Sequence, residues 1–191
     1  MEVVYWEGQR LFLLDQTKLP HQTTYVTCLR YQDVAEAIYS LKVRGAPAIG
    51  VAAAYGYALA AFNYRDNPEV SLEQFLDHAG RGLLAARPTA VNLRWAVEQM
   101  EDAYQNIQQK SLDKVRNELL ETALIIHNRE RKLEEKMAVF GASLIPPKAN
   151  ILTYCNTGAL ATAGWGTALG VIRAAYNQGK KVKVYVPETR P

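Results

Sequence analysis

Cys155 follows a run of apolar and β-branched residues, Asn150-Ile151-Leu152-Thr153-Tyr154, and precedes Asn156-Thr157-Gly158. This order predicts a thiol at the carboxyl end of a strand, with a helix starting just beyond it. Ligands of open α/β sheets collect at that end of the strands. A helix N-terminus also stabilises a thiolate and lowers its pKa. Such a thiol can act as a base or stabilise developing charge. The competing role is a small buried hydrophobe, which is what most free cysteines are. In Arg44-Gly45-Ala46-Pro47 an arginine stands beside small residues at a predicted helix start. Exposed amides, helix dipole and guanidinium together make a phosphate site. An arginine that only caps the preceding helix would look the same, and spacing does not choose between the two. Arg87 precedes a proline and the next helix in Arg87-Pro88-Thr89-Ala90-Val91-Asn92-Leu93. Proline restricts the arginine's backbone and so helps preorganise its side chain, although a lone arginine is more often an ordinary surface residue.

Other chemistries find no support. Gly158, Gly164, Gly166 and Gly170 do not have dinucleotide-fingerprint spacing, and no Lys-Ser/Thr pair of a phosphate loop is present. Gly164-Trp165-Gly166 is expected inside a helix, where glycines serve close packing; Gly158 is the one that would let backbone approach a ligand. His21, His78 and His127 have no ligand spacing among themselves or with the cysteines, so neither metal nor cofactor is expected. No serine nucleophile elbow occurs.

The elements that must position these groups read as follows. Val3-Val4-Tyr5-Trp6, the turn Glu7-Gly8-Gln9 and Leu11-Phe12-Leu13-Leu14 predict a hairpin, and residues 23–27 a third strand. Asp33, with Glu36 three residues on, is expected to open a first helix. Pro47 suits the first turn of a small-residue helix to about residue 62. Further helices are expected over 71–84, 90–107 and 112–139. The last of these should turn Glu130, Arg131, Lys132, Glu134 and Glu135 to solvent. Near Pro146-Pro147 the pattern changes to a buried strand over 150–154, a helix of about twenty residues and a strand over 182–186. That is one βαβ unit, with parallel strands. The fold class is therefore α/β: a small strand-plus-helix domain over 1–141, then the first βαβ unit of a parallel-sheet domain over 142–191. Two strands are fewer than such sheets normally hold, which predicts a truncated chain.

Composition narrows the function classes. A hydrophobic fraction of 49% and a charged fraction of 21% fit a globular protein with a real core. The net charge of +3, with one basic cluster at Lys180, Lys181 and Lys183, reads as a solvated turn and not a nucleic-acid surface. Residues 46–62 are apolar but lack the large side chains of a membrane span. Two cysteines make no disulfide framework and suit a reducing cytoplasm, and residues 1–7 do not resemble a secretory leader.

Four segments together resemble the methylthioribose-1-phosphate isomerase family: Val43-Arg44-Gly45-Ala46-Pro47-Ala48-Ile49-Gly50, Arg87-Pro88-Thr89-Ala90-Val91-Asn92-Leu93, Cys155-Asn156-Thr157-Gly158-Ala159-Leu160-Ala161-Thr162-Ala163-Gly164 and Glu188-Thr189-Arg190-Pro191. The resemblance covers essentially the whole chain, and its second and third segments are the most specific. Ribose-1,5-bisphosphate isomerases and regulatory subunits of the eukaryotic translation-initiation nucleotide exchange factor share the family. The resemblance implies a small amino-terminal domain followed by a Rossmann-like domain that forms a homodimer. It implies conversion of 5-methylthioribose 1-phosphate to 5-methylthioribulose 1-phosphate in methionine salvage. Arg44, Gly45, Ala46 and Arg87 would bind substrate, chiefly its phosphate, and Cys155 would be catalytic. The family's catalytic Asp, a substrate-binding Gln and an Asn-Lys pair would lie beyond Pro191. Pro187 stands where many relatives have Asp.

Overall fold

A computed structural model of the chain describes residues 2–162 and 164–188. The expected hairpin is present: β1 (Val4–Glu7) and β2 (Arg10–Leu14) pair antiparallel. β3 (Tyr25–Cys28) adds to β2, with Leu11 opposite Cys28. Leu11, Leu13, Leu14 and Cys28 turn inward and are buried.

Four helices follow: α1 (Tyr31–Tyr39), α2 (Ala46–Asn63), α3 (Leu72–Ala86) and α4 (Val91–Gln105). Asp33 does not open α1 but stands in its first turn. Its carboxylate accepts the N–H groups of Leu29 and Arg30, both at 2.9 Å, so it caps the loop ahead of the helix. Ser71 does cap α3, exchanging hydrogen bonds with Gln74. α2 is the centre of the molecule, packed by α1, α3, α4 and the later helix α5 (Leu112–Leu144). Every residue from 48 to 61 is buried, as expected of a helix apolar all round. Its small residues let neighbours come close. A β-carbon on Gly50 would lie 2.9 Å from the carbonyl oxygen of Asn92 on α4. Tyr55 keeps its hydroxyl satisfied in this core, 3.0 Å from Nδ1 of His127 on α5. Burial, more than any charge, pushes its pKa up to about 12.

α5 packs on α2 and α4 with its first part and on α6 (Ala168–Asn177) with its last. It runs through residue 142 without a break. Val171 of α6 fits against Gly141, where a β-carbon would come within 2.6 Å of it. β4 (Lys148–Leu152) and β5 (Lys181–Tyr185) lie parallel with α6 between them in sequence, Ala149 opposite Val182. The fold is thus mixed α/β: a small antiparallel sheet and helices, then a βαβ unit. Lys180 is not merely a solvated turn residue. Its Nζ donates to the carbonyls of Ala142 at 2.5 Å and Ile145 at 2.6 Å, which satisfies the end of α5.

Three expectations fail in this second half. β4 begins and ends two residues early. It alternates between half-buried and exposed residues instead of being buried throughout, with Leu152 72% exposed. Its inward positions, Ala149 and Ile151, alternate with outward Lys148, Asn150 and Leu152, the period-two pattern of a sheet covered on one face. The helix between the strands is ten residues long, not twenty. The residues ahead of it form an irregular connection with one short helical turn, Ala159–Ala161.

Candidate active site

The N-terminus of α2 gathers the first two segments that carry chemistry. Gly45 occupies the position before the helix with φ of 98°, a conformation that disfavours a side chain. Arg44, half-buried, precedes it. Among the described residues its buried Nε finds no hydrogen-bond partner. An unsatisfied guanidinium N–H beside helix N-terminal amides is a strong recruit for an anionic oxygen. Ala46 is exposed at the first helical position and Pro47 follows it. Arg87 follows the last residue of α3 as its C-terminal cap, half-buried. The segment it begins leads into α4, whose Asn92 lies against Gly50 of α2.

The connection between β4 and α6 closes on the same helix end. A β-carbon on Gly45 would overlap the backbone of Ala161, so the 159–161 turn rests directly on the start of α2. Gln16, buried next to β2, ties the two together. Its backbone N–H donates to the carbonyl of Lys42 at 2.9 Å and its Nε2 to the carbonyl of Leu160 at 2.7 Å. The structure therefore brings Gly45, between Arg44 and Ala46, against the 159–161 turn, and Asn92 of the 87–92 segment against Gly50 of α2.

Cys155 corrects one expectation. It sits beyond β4 in an exposed loop, and no helix begins beside it: α6 starts at Ala168. What singles Cys155 out is its backbone φ of 73°, uncommon for a residue with a β-carbon. Cys28 is the opposite case. Burial first, with Asp33 adding and Lys42 opposing, pushes its thiol from 9.0 up to about 12.

Gly164 and Gly166 also lie in the connection and not in a helix. The connection is stitched by polar groups that sequence patterning missed. The carbonyl of Thr157 accepts the N–H groups of Thr167 at 3.0 Å and Leu169 at 3.3 Å. Glu134 of α5 is not on the solvated face; it is 2% exposed. Its Oε2 accepts the Thr162 hydroxyl and the Gly166 N–H, each at 3.0 Å. Burial and the Glu134 carboxylate together push the pKa of neighbouring Glu130 up, against the opposing charge of Arg129. The signal for Glu134 was faint: one acid in a charged run. Thr162 lay within the Cys155 segment without any visible role. A groove of about 510 Å³ beside this connection is lined by Arg131, Lys132, Ala159, Gly164 and Trp165 among others. A second, of about 920 Å³, lies by Lys148 and Lys181 at the opposite strand ends; neither groove is lined by Arg44, Arg87 or Cys155. Thr189, Arg190 and Pro191 of the fourth segment lie outside the described residues.

The Initiation factor 2 subunit family matches residues 42–191, and the chain belongs to it. Among its relatives, the methylthioribose-1-phosphate isomerase of Carboxydothermus hydrogenoformans is 49% identical over 191 residues, covering 100% of this chain and 55% of that protein. The enzyme of the same name from Heliobacterium modesticaldum is 47% identical over the same coverage. The chain thus spans about half the length of the curated relatives it matches. The crystal structure of 5-methylthioribose 1-phosphate isomerase from Pyrococcus horikoshii OT3 superposes with a TM-score of 0.86 at 28% identity, covering 97% of this chain and 60% of that one. That of translation initiation factor eIF-2B, subunit delta, from A. fulgidus superposes with a TM-score of 0.83 at 39% identity, covering 100% and 55%. Among the described residues no helix is long and apolar enough to cross a membrane.

Proposed function

We propose that this chain is the amino-terminal part of an aldose–ketose isomerase that converts 5-methylthioribose 1-phosphate to 5-methylthioribulose 1-phosphate in methionine salvage. The identity of 49% and 47% to two isomerases across all 191 residues carries the reading. The convergence of three matched segments on the start of α2 supports it. In this reading Arg44, the amides of Gly45 and Ala46, and Arg87 take the substrate phosphate. The anomeric carbon bears that phosphate, so the ring cannot open to a free aldehyde. Isomerisation then requires assisted ring opening and movement of hydrogen between C2 and C1, by proton transfer through an enediolate-like species or by hydride shift. Cys155 supplies a base or stabilises developing charge, and exclusion of water would favour either route. The division at residues 1–141 and 142–191, a cytoplasmic location and a homodimer belong to the same proposal.

The A. fulgidus structure favours a second reading, a regulatory binding subunit that keeps the sugar-phosphate pocket and acts through assembly. One experiment separates them: assay of the complete protein on methylthioribose 1-phosphate and on ribose 1,5-bisphosphate. Turnover of the first is expected. Turnover of the bisphosphate alone refutes the substrate, and turnover of neither returns the protein to the binding-subunit reading. Cys155→Ser should lose most turnover while keeping the fold; a fully active Cys155→Ser enzyme removes this thiol from the mechanism.

A further inference from the structure

We infer that Glu134, acting through Thr162, is a positioning residue that holds the Cys155 loop in place for turnover; the inference rests on the isomerase reading. Glu134 belongs to the charged run of α5, yet it is buried while residues 129–133 and 135–137 are all at least partly exposed. A buried carboxylate is costly unless hydrogen bonds hold it. Here one oxygen accepts both the Thr162 hydroxyl and the Gly166 N–H at 3.0 Å. Thr162 is fully buried. Having donated to Glu134, its oxygen accepts the N–H groups of Gly166 at 3.2 Å and Gly164 at 3.3 Å. A hydroxyl offers one donor and two acceptor sites, so its capacity is used completely.

The position of this clamp gives it leverage. On one side Thr162 adjoins Ala161, whose backbone bears on Gly45 at the start of α2. On the other, Gly166 adjoins Thr167, whose N–H returns to the carbonyl of Thr157 at 3.0 Å. Cys155 stands two residues before Thr157. The connection is therefore a closed ring with Glu134 gripping it in the middle, and a shift of the grip passes to the thiol. Arg44 and Arg87 sit on other elements, and Gln16 holds the 159–161 turn at the Leu160 carbonyl separately from the clamp. Losing the clamp should then lower turnover and leave phosphate binding nearly intact. A displacement of about 1 Å in a reacting group costs on the order of a hundredfold in rate.

The test uses the complete protein with Glu134→Ala, Thr162→Val and Thr162→Ser. In the first two, kcat should fall at least about tenfold while KM changes by less than about threefold. Thr162→Ser keeps the hydroxyl and should retain kcat within about threefold of wild type. The rate of iodoacetamide alkylation at Cys155, read by peptide mass, should change several-fold in the first two variants and not in Thr162→Ser. If Glu134→Ala does not fold, the Val and Ser pair at 162 decides alone. Wild-type kcat and alkylation in folded Thr162→Val would overturn the inference, as would equal losses in the Val and Ser variants or a rise in KM with kcat unchanged. Should the wild-type protein not turn over methylthioribose 1-phosphate, the isomerase reading fails by itself. The alkylation rates then decide the positioning role: altered rates support it and unaltered rates overturn it.

Discussion

Replacing Gly45 with alanine tests how the two halves of the site meet. The residue has φ of 98° and ψ of 136°, a region that L side chains rarely adopt, and a β-carbon there would overlap the backbone of Ala161. Holding a non-glycine residue in such a region costs about 1–3 kcal/mol. Forcing a methyl group into a packed contact adds about 1–3 kcal/mol. The expected loss of stability is therefore about 2–6 kcal/mol, if strain and overlap simply add. The control is Gly8→Ala. Gly8 also has a positive φ, 56°, but a β-carbon there meets nothing within 4 Å. It should cost about 1–2 kcal/mol, the conformational part alone. Urea midpoints of the complete protein, with slopes checked for constancy, measure both variants. Because the 159–161 turn must move off α2, Gly45→Ala should also raise KM, whereas Gly8→Ala should not. Equal destabilisation by the two substitutions would refute the close approach of Ala161 to Gly45, and with it the joined site.

Other outcomes follow from the same geometry. A charge-assisted arginine–phosphate contact is worth about 1.5–3 kcal/mol, so Arg44→Ala and Arg87→Ala should each weaken substrate binding roughly ten- to a hundredfold. Calorimetric affinities unchanged in both would remove the arginines from the phosphate site. The buried Cys28 thiol, pushed to about 12, stays protonated in the folded chain where an unfolded chain has ionised it. Stability owed to it is fully present below about pH 9 and is lost as pH rises toward about 12, because the folded state then binds the extra proton. Urea midpoints at about pH 8 and about pH 10.5 should fall further in wild type than in Cys28→Ala; equal falls would contradict the assignment. Finally, the 191-residue chain by itself should self-associate and fail to isomerise, since Leu152 and Tyr154 are 72% and 77% exposed and Cys155 is open to water. A monomer by light scattering with near-normal turnover would count against the proposed site.

Much of this protein was legible in local pattern. The hairpin around Gly8, the Pro47 start of α2, the Ser71 cap of α3 and the parallel pair β4 and β5 all announce themselves through turn chemistry, capping and hydrophobic period. These signals are written within a few residues of where they act. The 87–92 and 155–164 segments were likewise recognisable from their order, without any knowledge of where they meet.

Tertiary structure alone decided the rest. The alanine-rich stretch after Gly158 has the propensity for helix, but contacts with distant elements override it. Glu134 draws Thr162 and Gly166 to α5, and Gln16 holds the carbonyl of Leu160. Two backbone groups of the connection, the Gly166 N–H and the Leu160 carbonyl, thus find their partners outside it. For the same reason Glu134 could not be told from its solvated neighbours: its partners stand 28 and 32 residues away along the chain. Sequence by itself determined the elements, and the families of residues able to do chemistry. Which of those residues share a site was determined by the close packing of Gly45 on Ala161 and Gly50 on Asn92, contacts that exist only once the chain has folded.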